Sequence, residues 1–555
     1  MNFRPALLLA LTALLLASAS GCRKSAAPAP ALPPTVLSPD TVASVHWVGK
    51  RRLDLSADAY FFSRVWSLPE TARLQNQTFD RLVAGLWRPL VGDAAAAQIP
   101  PLVLRPLLED LTLSETYLEI RAATGAPPAL VLAIHAGAAA AGIWETNLAI
   151  AAQFLFSQPA LASSAIHGWT LNRTNAPQLI RLARVRDWTV ISAGPTNNLV
   201  SEELSGRIQR DGVPVVSAGP NLWLEADLAP ARLSAALNYQ LSSNFPAAVP
   251  QSAIGNRQSA MPPSSLNYQL STINHFYLSA SGDGGNVITR AQVSLARPFA
   301  AALPAWQLPA DLVHEPLTSF TAVRGVQGWL NDWQPWRALS MGAAPDQFFV
   351  WSLASGPAQT YLAAPLPDAR RSVAGLTDWL LSTGNPWLAA HNYISFDRAP
   401  DGNGVVWGSL PDIQPFIKSA ATADAGWLYA GLFPDVRPAD APPASAGLLG
   451  DILRRTNLVY YAWEVTGLRS GACLYLGQTA RQLAQQPQLP ADSAGGVWLN
   501  LLTPRLRTAA TLVTRSGPAG LTLYRRSTLG LTMPELQLLA GWLESPQFPQ
   551  FKIQN

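Results

Sequence analysis

The sequence predicts an α+β protein made of two tandem duplicated domains, each a mainly antiparallel sheet with helices packed on one face. Three observations lead there. Short runs of alternating apolar and polar residues recur in pairs around turn residues, the pattern of β-hairpins. Single stretches of helical period fall among those pairs instead of after every strand, which argues against a parallel sheet. The same order of elements then occurs twice along the 555 residues.

The elements justify this in turn. "TVASVHWV" from 41 and "LTSFTAVRG" from 317 read as opening strands, followed by helical "PETARLQNQTFDRLVAGLW" and "VQGWLNDW". Strand, turn, strand comes next, "SETYLEIRAATGAPPALVLAIHA" from 114 and "PDQFFVWSLASGPAQTYLAAPL" from 345. Helical "WETNLAIAAQFLF" and "RRSVAGLTDWLLS" precede lone strands "WTVISAGP" from 188 and "WLYAGLFP" from 427. "NLWLEADL" from 221 then faces "NLVYYAWEV" from 457, and a hairpin from 276 faces another from 511. These pairs keep a spacing between 231 and 239 residues. The opening strands are further apart, which places an insertion of about 40 residues near 50–110. In "SGDGGN" the glycines allow positive φ, so a tight turn is expected there and a calcium loop is not, since Asp283 alone offers too few oxygens. The repeat sets the boundaries: a first domain over 41–298, a proline-rich joint over 299–316 and a second domain over 317–555. A shorter repeat, "LNYQLSS" at 237 and "LNYQLST" at 266, reads equally well as coincidence or local duplication.

Residues 1–21 read as an export signal: Arg4, an apolar run from Ala6 to Ala17 broken only by Thr12, then Ala19, Ser20 and Gly21 before Cys22. The run is too short to span a bilayer as a helix, which takes about 20 residues. This order resembles the lipobox of bacterial lipoproteins, with Cys22 at the lipidated position and Ala19 in place of the usual Leu. The resemblance implies a diacylglycerol on the Cys22 thiol, cleavage before it, and membrane attachment through the lipid. Arg23 after the cysteine, by the same resemblance, implies the outer membrane, facing the periplasm. Residues 22–40 are rich in Ala and Pro and form no core. They read as a tether that reaches roughly 55 Å in polyproline II. The body also resembles, loosely, exported bacterial proteins of unassigned activity, which implies no reaction.

Composition excludes more than it assigns. Only 13% of residues are charged and the net charge is +4, with no basic block, so nucleic acid is not an expected partner. Walker, nucleophile-elbow, dinucleotide and H-E-x-x-H motifs are missing. The six histidines (46, 135, 167, 275, 314, 391) show no metal-ligand spacing, so no metal or cofactor is expected. Cys473 sits in an apolar setting and reads as a buried thiol. Five residues stand as weak binding candidates. Glu225 and Glu464 lie among apolar residues in the paired "NL" strands, where burial would raise a carboxyl pKa and suit it to acid–base work; a solvent-facing or arginine-paired carboxylate is the plainer alternative. Arg324 could recognise an anion, although a structural arginine is the favoured reading. Trp329 and Trp333, four apart on one helix face, could stack on a sugar or, more simply, pack their helix on the sheet. No residue is assigned a catalytic role. The expected function is a lipid-anchored envelope protein that binds or scaffolds an envelope protein or cell-wall component. The alternatives are an envelope hydrolase with a dispersed active site and a subunit of an envelope assembly.

Overall fold

The computed structural model describes residues 35–85, 101–123, 127–156, 158–172, 178–195, 200–219, 221–235, 272–299, 302–332, 336, 344–356, 359–390, 395–407, 413–421, 426–434, 442–444, 446–483, 490–546 and 548–549. Cys22, the tether up to residue 34, Trp333 and both LNYQL stretches lie outside the described residues. The chain divides into two compact units, Met1–Arg297 with Gly541–Asn555, and Pro298–Ala540. The second domain expected at 317–555 therefore gives up its end. Phe548, with Trp542 and Leu543 beside it, packs against Phe79 and Leu82 of the first unit, because that helix has an apolar stripe to cover.

Among its described residues the first unit holds ten strands: β1 (Thr41–Trp47), β2 (Thr116–Arg121), β3 (Ala129–His135), β4 (Leu161–Ser163), β5 (Gly168–Asn172), β6 (Gln178–Val185), β7 (Trp188–Pro195), β8 (Leu224–Leu228), β9 (Ile273–Gly282) and β10 (Val287–Leu295). Every neighbouring pair is antiparallel, in the order β4-β5-β6-β7-β3-β2-β1-β8-β9-β10. The longer helices among its described residues are α1 (Pro69–Gly85), α2 (Pro101–Leu113), α3 (Ala138–Phe156) and α4 (Val200–Asp211). Helices α1 and α2 stand between the first two strands, in the span where the spacing of the repeat placed extra sequence.

The second unit holds β11 (Leu317–Arg324), β12 (Gln347–Leu353), β13 (Thr360–Pro365), β14 (Phe396–Arg398), β15 (Gly404–Trp407), β16 (Phe416–Ala421), β17 (Gly426–Gly431), β18 (Leu458–Val465), β19 (Thr508–Arg515) and β20 (Gly520–Ser527). These are again antiparallel, in the order β14-β15-β16-β17-β13-β12-β11-β18-β19-β20. That is the order of the first sheet with each number raised by ten. Even the irregularities coincide: the pairing of β1 with β2 slips between Thr41 and Ala43, and that of β11 with β12 between Leu317 and Ser319. A glycine with positive φ follows each opening strand, Gly49 at 84° and Gly325 at 80°. At Gly49 a Cβ would come within 2.4 Å of the Ser114 carbonyl carbon, so the turn admits no side chain.

The structure is α+β and antiparallel, but helices on one face only is an expectation it corrects. In the first unit Leu132, Ile134 and Ile191 face Val83, Leu104 and Trp144 from α1, α2 and α3. Alternate residues Val131, Ala133, Trp188 and Val190 face Val200, Leu204 and Ile208 of α4 on the other side. In the second unit α5 (Gln327–Asp332) and α6 (Ala369–Trp379) cover one face through Leu330, Val373 and Leu376. Trp306, Val313 and Ile452 of α7 (Ala446–Leu453) cover the other. The reason is legible in the central strands: "ALVLAIH" and "QFFVWSL" are nearly continuous apolar runs, which a sheet wet on one side would expose.

Candidate functional site

Each unit places its middle strands, β2-β1-β8-β9 and β12-β11-β18-β19, in the same register, so side chains can be compared position by position. The opening-strand bulge and glycine anchor the match. On one face of the first sheet stand Ser44 and His46 from β1, and Tyr117, Glu119 and Arg121 from β2. Glu225 and Asp227 from β8, with Tyr277 and Ser279 from β9, continue that face. The corresponding residues of the second sheet are Phe320, Ala322, Phe349, Trp351 and Leu353, then Tyr461, Trp463, Ala510 and Leu512. Nine positions that are polar or ionisable in the first sheet are aliphatic or aromatic in the second. A sheet of this topology thus forms without any of the polar set, so the fold does not require it.

Two clusters make up the polar face. In the first, the Glu119 carboxylate is fully buried and accepts from Tyr117 Oη at 2.9 Å, Thr41 Oγ1 at 3.2 Å, Arg121 Nε at 2.7 Å and the Arg207 guanidinium of α4 at 2.6 Å. Burial alone would raise its pKa, but the two guanidinium groups carry it below the usual carboxylate value. Burial and the adjacent carboxylate push the Tyr117 hydroxyl upward, so it stays a donor. Arg121 extends the network to Glu203 at 2.7 Å.

In the second cluster His46, only 7% exposed, sets Nε2 2.9 Å from Glu115 and Nδ1 4.0 Å from Glu225. Burial would depress the imidazole, yet the two carboxylates raise it above its ordinary value. Glu225 accepts further bonds from Ser217 Oγ, from Tyr277 Oη at 2.9 Å and from the Ala218 amide at 3.2 Å. Burial alone would lift its pKa, but these bonds and His46 lower it, so the raised value that would suit this glutamate to acid–base work is not what the site provides. The Tyr277 hydroxyl is pushed up to about 12 by burial and by Glu225.

This chemistry is that of a charge cluster. A general base needs an imine lone pair within reach of a nucleophile. Here both ring nitrogens face carboxylates, and the Ser217 hydroxyl donates to Glu225.

No protein family, curated protein or solved structure matches the chain.

The remaining candidates fall elsewhere. Glu464 is not the counterpart of Glu225: it pairs in register with Ser319, at the position Leu228 holds in the first sheet. Buried on the opposite face, it accepts from Arg469 at 2.7 Å and from the Met533 amide at 2.7 Å, which caps α9 (Met533–Glu544) and ties α8 (Thr466–Leu483) to the sheet. Arg324 is buried, and its guanidinium donates to the carbonyls of Pro304, Leu458, Arg455 and Thr456 while stacking on Trp306 at 4.5 Å. These hydrogen bonds go to main-chain oxygens, so it locks a turn in the favoured structural role and not in the minority role of anion recognition. Trp329 is 64% exposed, and Leu330 is the buried anchor of α5, so the tryptophan does not pack its helix as expected. Trp333 lies outside the described residues. Asp283 Oδ1 accepts from the amides of Gly285 and Asn286, which makes its loop a tight turn.

Burial raises the Cys473 thiol to about 11. The folded chain at pH 8 is expected to leave Cys473 unalkylated by iodoacetamide for hours, with rapid labelling once denatured. Fast labelling of the native protein, read by mass spectrometry, would show the packing to be wrong.

Glu119, His46, Glu115, Ser217 and Tyr277 were not singled out from the sequence as site residues. A signal was present, since superposing the two halves residue by residue shows polar side chains facing aromatic ones. Reading it needs the strand register.

Proposed function

We propose that the chain is a lipid-anchored protein of the bacterial cell envelope, held through Cys22 at the outer membrane, with a non-catalytic binding or scaffolding role. Its two units descend from one duplicated ancestor, a reading supported by the shared strand order, bulges and glycines. One observation carries the functional reading: the first unit holds nine polar positions that the second fills with aromatic and aliphatic side chains. Buried charge is expensive to keep where a hydrophobic core would serve, so the first sheet face is the part shaped for something other than folding. An envelope protein or cell-wall component is the proposed partner.

The meeting of His46 with Glu225 is what favours the alternative of an envelope hydrolase. Against it stands the absence of a nucleophile within reach of a free imidazole nitrogen among the described residues. Membrane fractionation and in-cell crosslinking of wild type and Cys22→Ser test the proposal. The wild type is expected in membranes with envelope partners that the variant loses. A variant that stays in the membrane would refute the lipid anchor, and anchoring without any captured partner would favour a small ligand or a reaction.

A further inference from the structure

In each unit the segment before the opening strand is stitched to the segment that leads towards the eighth strand. In the second unit Ala444 N donates to Val313 O at 3.2 Å and Glu315 N to Pro442 O at 3.0 Å. Val313 and Ala444 are buried in the apolar core, and between them the buried His314 bridges Pro443. In the first unit Thr35 N donates to Val216 O at 3.3 Å and Val216 N to Thr35 Oγ1 at 2.8 Å. The next two residues, Ser217 and Ala218, are held by the Glu225 carboxylate. Glu225 in turn faces His46.

We propose that His46, Glu115 and Glu225 form a proton-operated latch that closes the 212–219 segment and Thr35 onto the first sheet. The groups around His46 set the direction. Glu115 comes from the start of β2, Glu225 from β8, and Tyr277 of β9 donates to Glu225. Arg52 stands 3.7 Å from Glu115, and His135, at the end of β3, also bears on Glu115. Arg51 is directed to Asp110 of α2 at 3.7 Å.

When His46 loses its proton it can donate to one carboxylate only. Glu115 is closer and keeps Arg52 as a counter-charge. Glu225 then faces an imidazole lone pair at 4.0 Å, beside the neutral donors Ser217, Ala218 and Tyr277. A carboxylate so placed gains by turning to water, and Ser217 and Ala218 go with it. The folded imidazole titrates above its ordinary value of 6.5. The latch is therefore at full strength below that pH and is lost as pH rises through the folded value.

Hydrogen–deuterium exchange of the full chain in detergent, between about pH 5.5 and 9, tests this. After correction for intrinsic rates, amides 212–219 and Thr35 should open about tenfold more for each unit by which His46 is raised. His46→Ala, which copies Ala322 of the second unit, should leave the segment open at every pH. Glu225→Gln should leave it closed and indifferent to pH. Exchange that follows intrinsic rates alone, or a pH response that survives in Glu225→Gln, overturns the latch; the second variant decides even if the first does not fold. Release of the tether's head rests on the anchoring proposed above. The latch is read on the chain in detergent, so a failed lipid anchor leaves its result standing.

Discussion

Glu119→Ala is expected to destabilise the first unit by about 3–5 kcal/mol, the usual cost of removing one partner from a buried ion pair. The carboxylate is fully buried and satisfies four donors on β1, β2 and α4. Without it the Arg207 guanidinium, with only 12% of its side chain exposed, has lost its carboxylate 2.6 Å away. Exchange protection of β2 and α4 should fall together, since this cluster joins them. Acid should have the same effect. The folded carboxyl titrates below its ordinary 4.5, so its contribution is complete above that pH and disappears as pH falls through the folded value. The revealing control is Glu119→Leu with Arg207→Met. Replacing a buried pair by packed apolar groups is often neutral, and the second unit carries Trp351 at this very position, fully buried. A double variant as unstable as Glu119→Ala would mean that the first face needs its charge in order to fold.

Arg324→Ala is the second large effect, an expected loss of about 3 kcal/mol or more in the second unit. Bonds from a charged donor contribute roughly 1.5–3 kcal/mol each and do not add fully. Alanine leaves the carbonyls of Pro304, Leu458, Arg455 and Thr456 without this donor and removes the cation from the face of Trp306. Arg324→Lys should recover little, because one ammonium cannot reproduce a planar fork that reaches four oxygens. Urea unfolding followed at β11 and β18 by hydrogen exchange measures both variants, and full stability in the lysine form would sink the argument.

Glu119 was not marked from the sequence, whereas Arg324 was read there chiefly as a structural arginine. Arg324 stood out as a charge in an apolar strand, which is correct, but its acceptors come from residues 304 and 455–458, and no local pattern links those segments. Glu225 stood out likewise and was joined to Glu464 because both strands begin "NL". Register separates them by three positions and puts them on opposite faces. Trp329 was taken for packing because four-residue spacing aligns two rings, yet Leu330, one residue along and about 100° round the helix, is the one the sheet covers.

By itself the sequence determined the kinds of element, their order and the twofold pattern of the body, because alternation, helical period and turn glycines act over a few residues. It also carried the lipobox resemblance, which is local by nature. Only the tertiary structure decided which charges meet. His46 and Glu115 are 69 positions apart, and Tyr277 reaches Glu225 across 52. Antiparallel pairing of β2, β1, β8 and β9 makes them neighbours, and a slip of one residue would turn every one of those side chains to the other face. Whether a strand face holds imidazole and carboxylate or phenylalanine and tryptophan leaves the backbone ladder unchanged. That is why the two sheets share one fold and only one of them has the charge cluster.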